Sequence, residues 1–208
     1  IVTGYFFTNT FFLFNQSNMR ALFNIVPLVY LFFIPAITMS LIAREKNIGT
    51  MEVMSTLPIK DVEFVVGKFL SALILIALGL GFTLIHFITL VNVGTNIDYG
   101  AVFTGYLGLL MLGSVYASVG TFASSVTENQ VIAFIIAVFI VLIFFLMDKM
   151  LYFMPASIAG IIQYLSVDYH LSNISRGVID SRNIIYFSSL IGFFLFTTVR
   201  VLEIRKWR

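Results

Sequence analysis

The residues that could take part in chemistry are concentrated in one polar stretch, residues 44–68, which reads REKNIGTMEVMSTLPIKDVEFVVGK. We call this stretch the charged segment. Its charged side chains are Arg44, Glu45, Lys46, Glu52, Lys60, Asp61, Glu63 and Lys68. Residues 1–43 before it carry a single charge, Arg20, and residues 69–97 after it carry none. Charges between two long apolar runs must lie in water, so this segment is where contacts with other molecules are expected.

Other chemistry has little support in the sequence. The chain has no Cys and only two His, so thiol enzymes and thiolate metal sites are excluded for these residues. His86 has no carboxylate near it in the sequence and is interpreted as a headgroup-level or helix-packing histidine. The pair Gly67-Lys68 lacks the rest of a phosphate-binding loop, and no dinucleotide fingerprint or Ser/His/Asp arrangement occurs. We expect no catalytic residue, no cofactor or metal bound by this chain, and no nucleic-acid partner.

Composition assigns the chain to the membrane. Hydrophobic residues make up 60% and charged residues 11% of the chain, with a mean hydropathy of +1.02. A soluble domain has roughly 45–50% apolar and about 25% charged residues. The apolar runs are much longer than the roughly 9–11 residues of a membrane barrel strand, which predicts helices. The fold class is therefore an all-α membrane protein embedded in lipid.

Six membrane spans are predicted in a single transmembrane domain, residues 1–208. They are residues 1–16, 22–43, 69–93, 101–124, 131–147 and 184–201. The first is shorter than the roughly 20 residues that a span needs, so we expect it to begin before Ile1. The fourth carries four glycines with small residues between them, which let helix backbones approach closely in lipid. This helix is predicted to be central to packing.

The connection between the fifth and sixth spans, residues 148–183, has an apolar first half and a polar second half. We predict a pair of short re-entrant or surface-lying helices on the outer side. The first starts near Pro155, and the second starts with Asp168 as its N-cap and stops at Gly177. His170 and Arg176 belong to the polar half. A seventh span is the alternative, but an odd count would place the basic tail outside, against the charge rule.

Orientation follows from the basic residues on alternate sides of the predicted spans. The side that holds the charged segment and the C-terminal tail has eight Lys and Arg residues, and the other side has four. This count predicts that the charged segment, both termini and the turn at Glu128, Asn129 and Gln130 lie in the cytoplasm.

The charged segment itself reads as a short helix that needs a partner. Gly49 can end the preceding helix, Thr50 can cap a new one, and Leu57-Pro58 stops it. A helix of about two turns is unstable alone in water. Its predicted apolar ridge consists of Met51, Met54 and Leu57. The charges that could set its register on a partner are Arg44, Glu45 and Glu52. The alternative is a solvated loop whose charges only prevent insertion.

These residues resemble a known family. The stretch AREKNIGTMEVMSTLPIKDVEFVVGKF is similar to the cytoplasmic segment of ABC-2 type transporter permeases. The stretches YLGLLMLGSVYASVGTFASSVTENQVIAF and SRGVIDSRNIIYFSSL resemble the family's fourth and fifth spans and its entry to the sixth. The branch that looks most similar is the gliding-motility and copper-type permease subunits, which are encoded apart from their ATPase.

The resemblance implies a six-helix permease of an exporter in the bacterial inner membrane. Two separate ABC ATPase subunits would bind ATP and Mg, and a second permease chain, identical or related, would complete the path. The resemblance also implies that the charged segment is a cytoplasmic coupling helix. Its ATPase interface would be Arg44, Glu45, Gly49, Thr50, Met51, Glu52, Met54, Leu57 and Pro58, with a minor contact at Glu128, Asn129 and Gln130. The family's elbow helix would precede Ile1.

Two other functions stay open on the residues alone. An anchor or assembly subunit of a motility or envelope complex would share all these features. A secondary transporter would need ionisable residues near the middle of the membrane, and the predicted spans have almost none. The substrate is not indicated, although the scarcity of charges in the spans favours an amphipathic molecule over an ion.

Overall fold

The computed structural model of the protein describes residues 2–9, 19–51, 58–94, 97–151, 155–178 and 180–205. Regular secondary structure within these residues is helical, as the composition predicts. The helices are α1 (Val2–Thr8), α2 (Arg20–Thr38), α3 (Ala43–Asn47), α4 (Asp61–Val93), α5 (Tyr99–Val126), α6 (Gln130–Met150), α7 (Ala156–Leu165), α8 (Val167–Ser175) and α9 (Ser181–Arg205). A helix satisfies its backbone hydrogen bonds internally, which lipid requires of any spanning segment.

Five stretches of the described residues are long and apolar enough to cross a membrane. They are Leu22–Asn47, Asp61–Val93, Tyr99–Val126, Gln130–Met150 and Ser181–Ile204. These stretches overlap the residues predicted as the second to sixth spans. The predicted first span, residues 1–16, contains α1, and its residues 1 and 10–16 lie outside the described residues.

Helix α5 is the centre of the bundle. In its most apolar stretch 72% of the residues are buried, against 17% in α4 and in α6. It contacts α2, α4, α6, α8 and α9. The other membrane-length helices therefore surround α5 and present most of their apolar side chains outward, as helices that face lipid do.

The glycines of α5 explain its central place. Four of them lie against a side chain of a neighbouring helix: Phe23 at Gly105, Leu171 at Gly108, Ile76 at Gly113 and Thr38 at Gly120. A Cβ atom added at Gly113 would come within 2.9 Å of Ile76, and one added at Gly120 would overlap Thr38. Because only glycine leaves room for these contacts, α2, α4 and α8 approach the α5 backbone directly.

The charged segment defines one end of the bundle. Helix α3 ends there, α4 and α6 begin there, and α5 and α9 end there, because Ile42, Val65 and Leu202 form one small apolar cluster. We call this the charged end and the opposite one the far end. Helix α4 begins at Asp61 and so extends beyond the predicted third span, residues 69–93. Its 33 residues make it about 50 Å long, well over the roughly 30 Å of a hydrocarbon core.

Helices α7 and α8 form the predicted pair of short helices between the last two spans. Pro155 is the N-cap residue of α7, as predicted. The predicted N-cap of the second helix was wrong. Ser166 caps α8 by accepting a hydrogen bond from the backbone nitrogen of Tyr169 at 3.4 Å, and Asp168 lies in the first turn. The serine hydroxyl meets the free amide because α7 and α8 are separated by this single residue. Their re-entrant placement in lipid stays a prediction.

Candidate functional site

The site begins at a break between α2 and α3. The α2 hydrogen-bond pattern stops after Thr38, and α3 starts at Ala43. A break of this kind leaves backbone amides and carbonyls without helical partners. Ser124 of α5 fills it: its hydroxyl accepts from the amides of Ile42 and Ala43 at 3.0 and 2.9 Å and donates to the carbonyl of Met39 at 2.9 Å. One side chain thus satisfies three groups of a joint that is buried.

Helix α3 is held to two further helices by its charged residues. The ammonium of Lys46 donates to the carbonyl of Ser125 at the end of α5. The carboxylate of Glu45 forms an ion pair with Lys68 in the second turn of α4, where both side chains are largely shielded from water. Glu45 is therefore engaged inside the chain, whereas Arg44 is exposed. The start of the charged segment is fastened to the bundle by these contacts.

A tight turn follows α3. Gly49 has φ +76°, a left-handed conformation that a residue with a side chain rarely adopts. The hydroxyl of Thr50 donates backward to the carbonyl of Glu45 at 3.2 Å, and its role as the cap of a following helix stays a prediction. Met51 packs half-buried against the apolar cluster of the charged end. Glu52, Met54 and Leu57 lie outside the described residues.

Both described parts of the charged segment, residues 44–51 and 58–68, have exposed apolar side chains. Pro58 is exposed. Ile59 and Val62 expose 48% and 53% of their surface, and Ile48 on the turn exposes 60%. The α4 start is stabilised by the carboxylate of Glu63, which accepts from the backbone nitrogen of Lys60 at 3.2 Å. Exposed apolar residues beside charges are typical of a surface that another protein covers.

The predicted second contact lies at the same end. Asn129 is the N-cap of α6, and its side chain accepts from the amides of Val131 and Ile132 at 2.9 and 3.4 Å. Glu128 is exposed and Gln130 is the first residue of α6. Helix α3 contacts α6 directly. The structure thus explains Asn129 as a cap and places the turn beside the charged segment.

A polar cluster joins the helices of the far end. Lys149 lies 3.3 Å from both Asp148 and Asp168. Burial raises the pKa of Asp168, and the neighbouring Lys149 opposes that effect only in part. The short helix α8 is thereby joined to the end of α6.

His170 of α8 connects this end of the bundle to the last span, α9. Its Nε2 donates to the carbonyl of Tyr164 at 2.9 Å, and its Nδ1 lies 2.7 Å from Oδ1 of Asn183. The ring stacks on Tyr186, with centroids 4.0 Å apart.

Two further residues of the far end, Arg176 and Gly177, end helix α8. Arg176 is the exposed C-cap residue. Gly177 follows with φ +93° and passes close to the α5 backbone at Ala101.

Elsewhere, His86 stacks on Phe7 of α1 with centroids 5.0 Å apart, which is the packing role predicted for it. Among the residues that the structure describes, no three His, Asp or Glu side chains meet to form a metal site.

An open apolar groove of about 590 Å³ lies between α4 and α5. Leu80, Gly81 and Phe87 line its α4 wall, and Tyr106 and Leu110 line its α5 wall. Its lining contains no charged side chain. Such a groove fits an apolar chain of a lipid and offers nothing that would bind a bare ion.

Sequence reasoning missed the residues that fasten the charged segment. Glu45 and Lys68 were both noted as charged, but no spacing rule pairs residues 23 apart. Ser124 gave no signal at all, since a serine in an apolar helix ordinarily donates to its own helix.

Comparison with known proteins identifies a family. The family model described as ABC-2 family transporter protein matches residues 8–198 of the chain. This range takes in the charged segment and both short helices of the far end. No curated protein and no solved structure matches the chain.

Proposed function

Because the chain belongs to the ABC-2 family of transporter proteins, we propose that it is the permease subunit of an exporter driven by separate ATPase subunits. The family resemblance predicted from the motifs is confirmed. The chain is a multi-pass membrane protein and, by its family, a membrane component of an ABC transporter. Its assignment to the gliding-motility and copper-type branch stays a prediction.

The observation that supports ATP-driven transport is the attachment of the charged segment. This segment leaves the membrane-length helices at one end and is fastened to α4 by the Glu45–Lys68 pair and to α5 by Lys46 and Ser124. A loop whose charges only prevent insertion needs no such anchoring. A partner that moves the segment would therefore move the ends of two spanning helices with it.

The proposed partner surface combines the exposed side chains of the charged segment. Arg44, Ile48, Ile59 and Val62 are accessible from the charged end. Residues 52–57, with the predicted ridge positions Met54 and Leu57, lie between them in sequence. ATP and Mg would bind to two ATPase subunits, and this chain would supply the docking surface and the membrane path. The two ATPase states act on the chain only if the segment binds them with different affinity.

The proposal includes an orientation and a second permease chain. The excess of Lys and Arg at the charged end predicts that this end and the termini lie in the cytoplasm and that the far end faces outward. We detect no internal repeat in the sequence, so a two-sided path requires another permease chain, identical or related. The apolar groove between α4 and α5 supports contact with lipid chains.

The test of this function is recovery of the ATPase on the tagged permease. An ATPase with a phosphate loop encoded beside this chain is the partner to co-express. Arg44→Glu reverses an exposed charge at the charged end, and Arg176→Glu makes the same change at the far end. Exposed charge pairs contribute up to about 1 kcal/mol, so Arg44→Glu should lower affinity by roughly fivefold or less. Arg176→Glu should leave affinity unchanged.

The outcomes separate the two functions. Recovery of an active ATPase with the unaltered chain, reduced by the Arg44 change alone, supports the permease. Absence of any ATPase from the purified complex would favour the anchor subunit. Equal loss of ATPase in the Arg44 and Arg176 variants would mean that the charged end is not the docking surface.

A further inference from the structure

Ser124 differs from every other small hydroxyl residue of α5. The helix contains six Ser and Thr residues. Five of them, Thr104, Ser114, Ser118, Thr121 and Ser125, donate to carbonyls of α5 itself. Ser124 instead bonds only outside its helix, with three backbone groups of the α2–α3 joint. A hydroxyl that donates to its own helix contributes little to tertiary structure, whereas Ser124 links two helices.

The joint has no other described partner for these amides. Ile42, Ala43 and Ser124 are all fully buried, so water does not reach them in place of the hydroxyl. A buried amide without a partner is costly. Next to the joint, Thr38 at the end of α2 packs directly on Gly120, one turn before Ser124. The hydrogen bonds and this close contact together prevent the joint from sliding along α5.

Helix α5 extends this contact to the far end. Gly108 lies 16 residues from Ser124, which is about 24 Å along the helix. It contacts Leu171 and Ile174 of α8, and a Cβ added there would lie 3.0 Å from Leu171. Close-packed contacts between helices have low compressibility and transmit strain from one helix to the next. A displacement of α5 at Ser124 therefore reaches α8.

We propose that Ser124 is a positioning residue that locks the α2–α3 joint to α5, so that movement of the charged segment is carried through α5 to α8. Spans two and three are joined to the charged segment by the chain itself, whereas α5 is joined to it by side-chain contacts. Lys46 of α3 donates to the carbonyl of Ser125, and Ser124 bonds the joint itself. The transmission rests on the proposed function, because an ATPase must move the segment. The lock, which is the set of hydrogen bonds between Ser124 and the α2–α3 joint, does not depend on the proposed function.

The lock is tested without any partner by hydrogen exchange of the purified chain. Although they have no partner within a helix, the amides of Ile42 and Ala43 should exchange as slowly as amides inside α5. Ser124→Ala should speed their exchange at least tenfold. Ser125→Ala is the matched control, because Ser125 is equally buried but its hydroxyl donates to Phe122 of its own helix; it should leave both amides protected.

Each outcome of the hydrogen-exchange experiment either supports or refutes the lock between Ser124 and the α2–α3 joint. Fast exchange of the two amides in the unaltered chain would overturn it, even if the Ser124 variant failed to fold. Equal protection in Ser124→Ala and Ser125→Ala would also overturn it. Slow exchange in the unaltered chain with a selective gain in Ser124→Ala is the expected result.

Transmission is tested with spin labels in the complex with the ATPase. The chain has no Cys, so Asn92→Cys and Arg176→Cys place one label on the exposed far end of α4 and one at the end of α8. The distance between the labels should change on addition of ATP and Mg. The change should keep its size with Ser125→Ala and become smaller with Ser124→Ala, while the ATPase still co-purifies.

Failure of the proposed function, of transmission to α8 and of the role of Ser124 each give a different result. An unaltered chain that binds no ATPase refutes the proposed function and leaves the exchange result to decide the lock. An unaltered complex that hydrolyses ATP without a change in label distance refutes transmission to α8. A distance change of the same size in Ser124→Ala as in the unaltered chain refutes the role of Ser124.

Discussion

Replacement of Gly120 by alanine measures how much of the bundle's stability depends on close contact between α5 and α2. The added Cβ would overlap the buried Thr38 side chain, which has no open space to enter. Overpacking a close-packed site costs about 1–3 kcal/mol. Alanine also favours a helix by up to about 1 kcal/mol relative to glycine, which partly offsets this cost.

A matched variant isolates the steric part of that change. Gly79 lies inside α4, and a Cβ added there meets no atom within 4 Å. Gly79→Ala should be neutral or stabilising by up to about 1 kcal/mol, since only the helix preference changes. Because that preference is common to both variants, Gly120→Ala should be the less stable of the two by about 1–3 kcal/mol.

The measurement is reversible unfolding of each variant in the same detergent. The unfolding midpoints give the difference in free energy between the variants, and circular dichroism checks that both remain helical. Equal stability of Gly120→Ala and Gly79→Ala would refute the close contact between α5 and α2. It would also remove one of the two supports of the joint at Ser124.

Three further outcomes are expected. A cysteine at Lys60 should resist an impermeant reagent added from outside, and one at Arg176 should react; labelling at Lys60 would refute the orientation. Met54→Asp should reduce ATPase recovery more than Glu52→Lys, with insertion unchanged, because an unpaired buried charge costs several kcal/mol and an exposed pair at most about 1 kcal/mol; normal recovery with Met54→Asp would favour a solvated loop. Burial raises the pKa of Asp168, so the folded chain binds its proton more tightly than the unfolded chain does. The free energy of unfolding in detergent should therefore fall as pH rises from the unfolded toward the folded pKa of this carboxyl, and Asp168→Asn should remove this fall. An unchanged pH profile in the variant would contradict this prediction.

The helices were largely predictable from local pattern, and their ends less so. Hydropathy located the residues of the five membrane-length helices, because length and apolar content are properties of each segment alone. Helix α4 extends beyond the predicted third span to Asp61, and hydropathy does not mark this extension because it carries Asp61, Glu63 and Lys68. The cap of α8 was assigned to Asp168, since both Ser166 and Asp168 suit an N-cap and only the backbone geometry selects one.

The candidate site was predictable as a region and not as a set of contacts. The isolation of the charges between apolar runs was enough to predict the charged segment and to relate it to a known family. Its internal contacts were beyond that reasoning. Glu45 was expected to face a partner, yet it pairs with Lys68 inside the chain, and Met51 packs inward on the cluster of the charged end.

The sequence by itself determined that this is a helical membrane protein with one charged segment, because solvation in lipid or water acts on each stretch of chain separately. Only the tertiary structure decided which residues hold that segment. Ser124 and Ser125 are adjacent, identical in type and both buried, so no local pattern distinguishes them. They differ because the approach of α2 to Gly120 brings the break before Ala43 to one hydroxyl, 81 residues away in the chain, and not to the other.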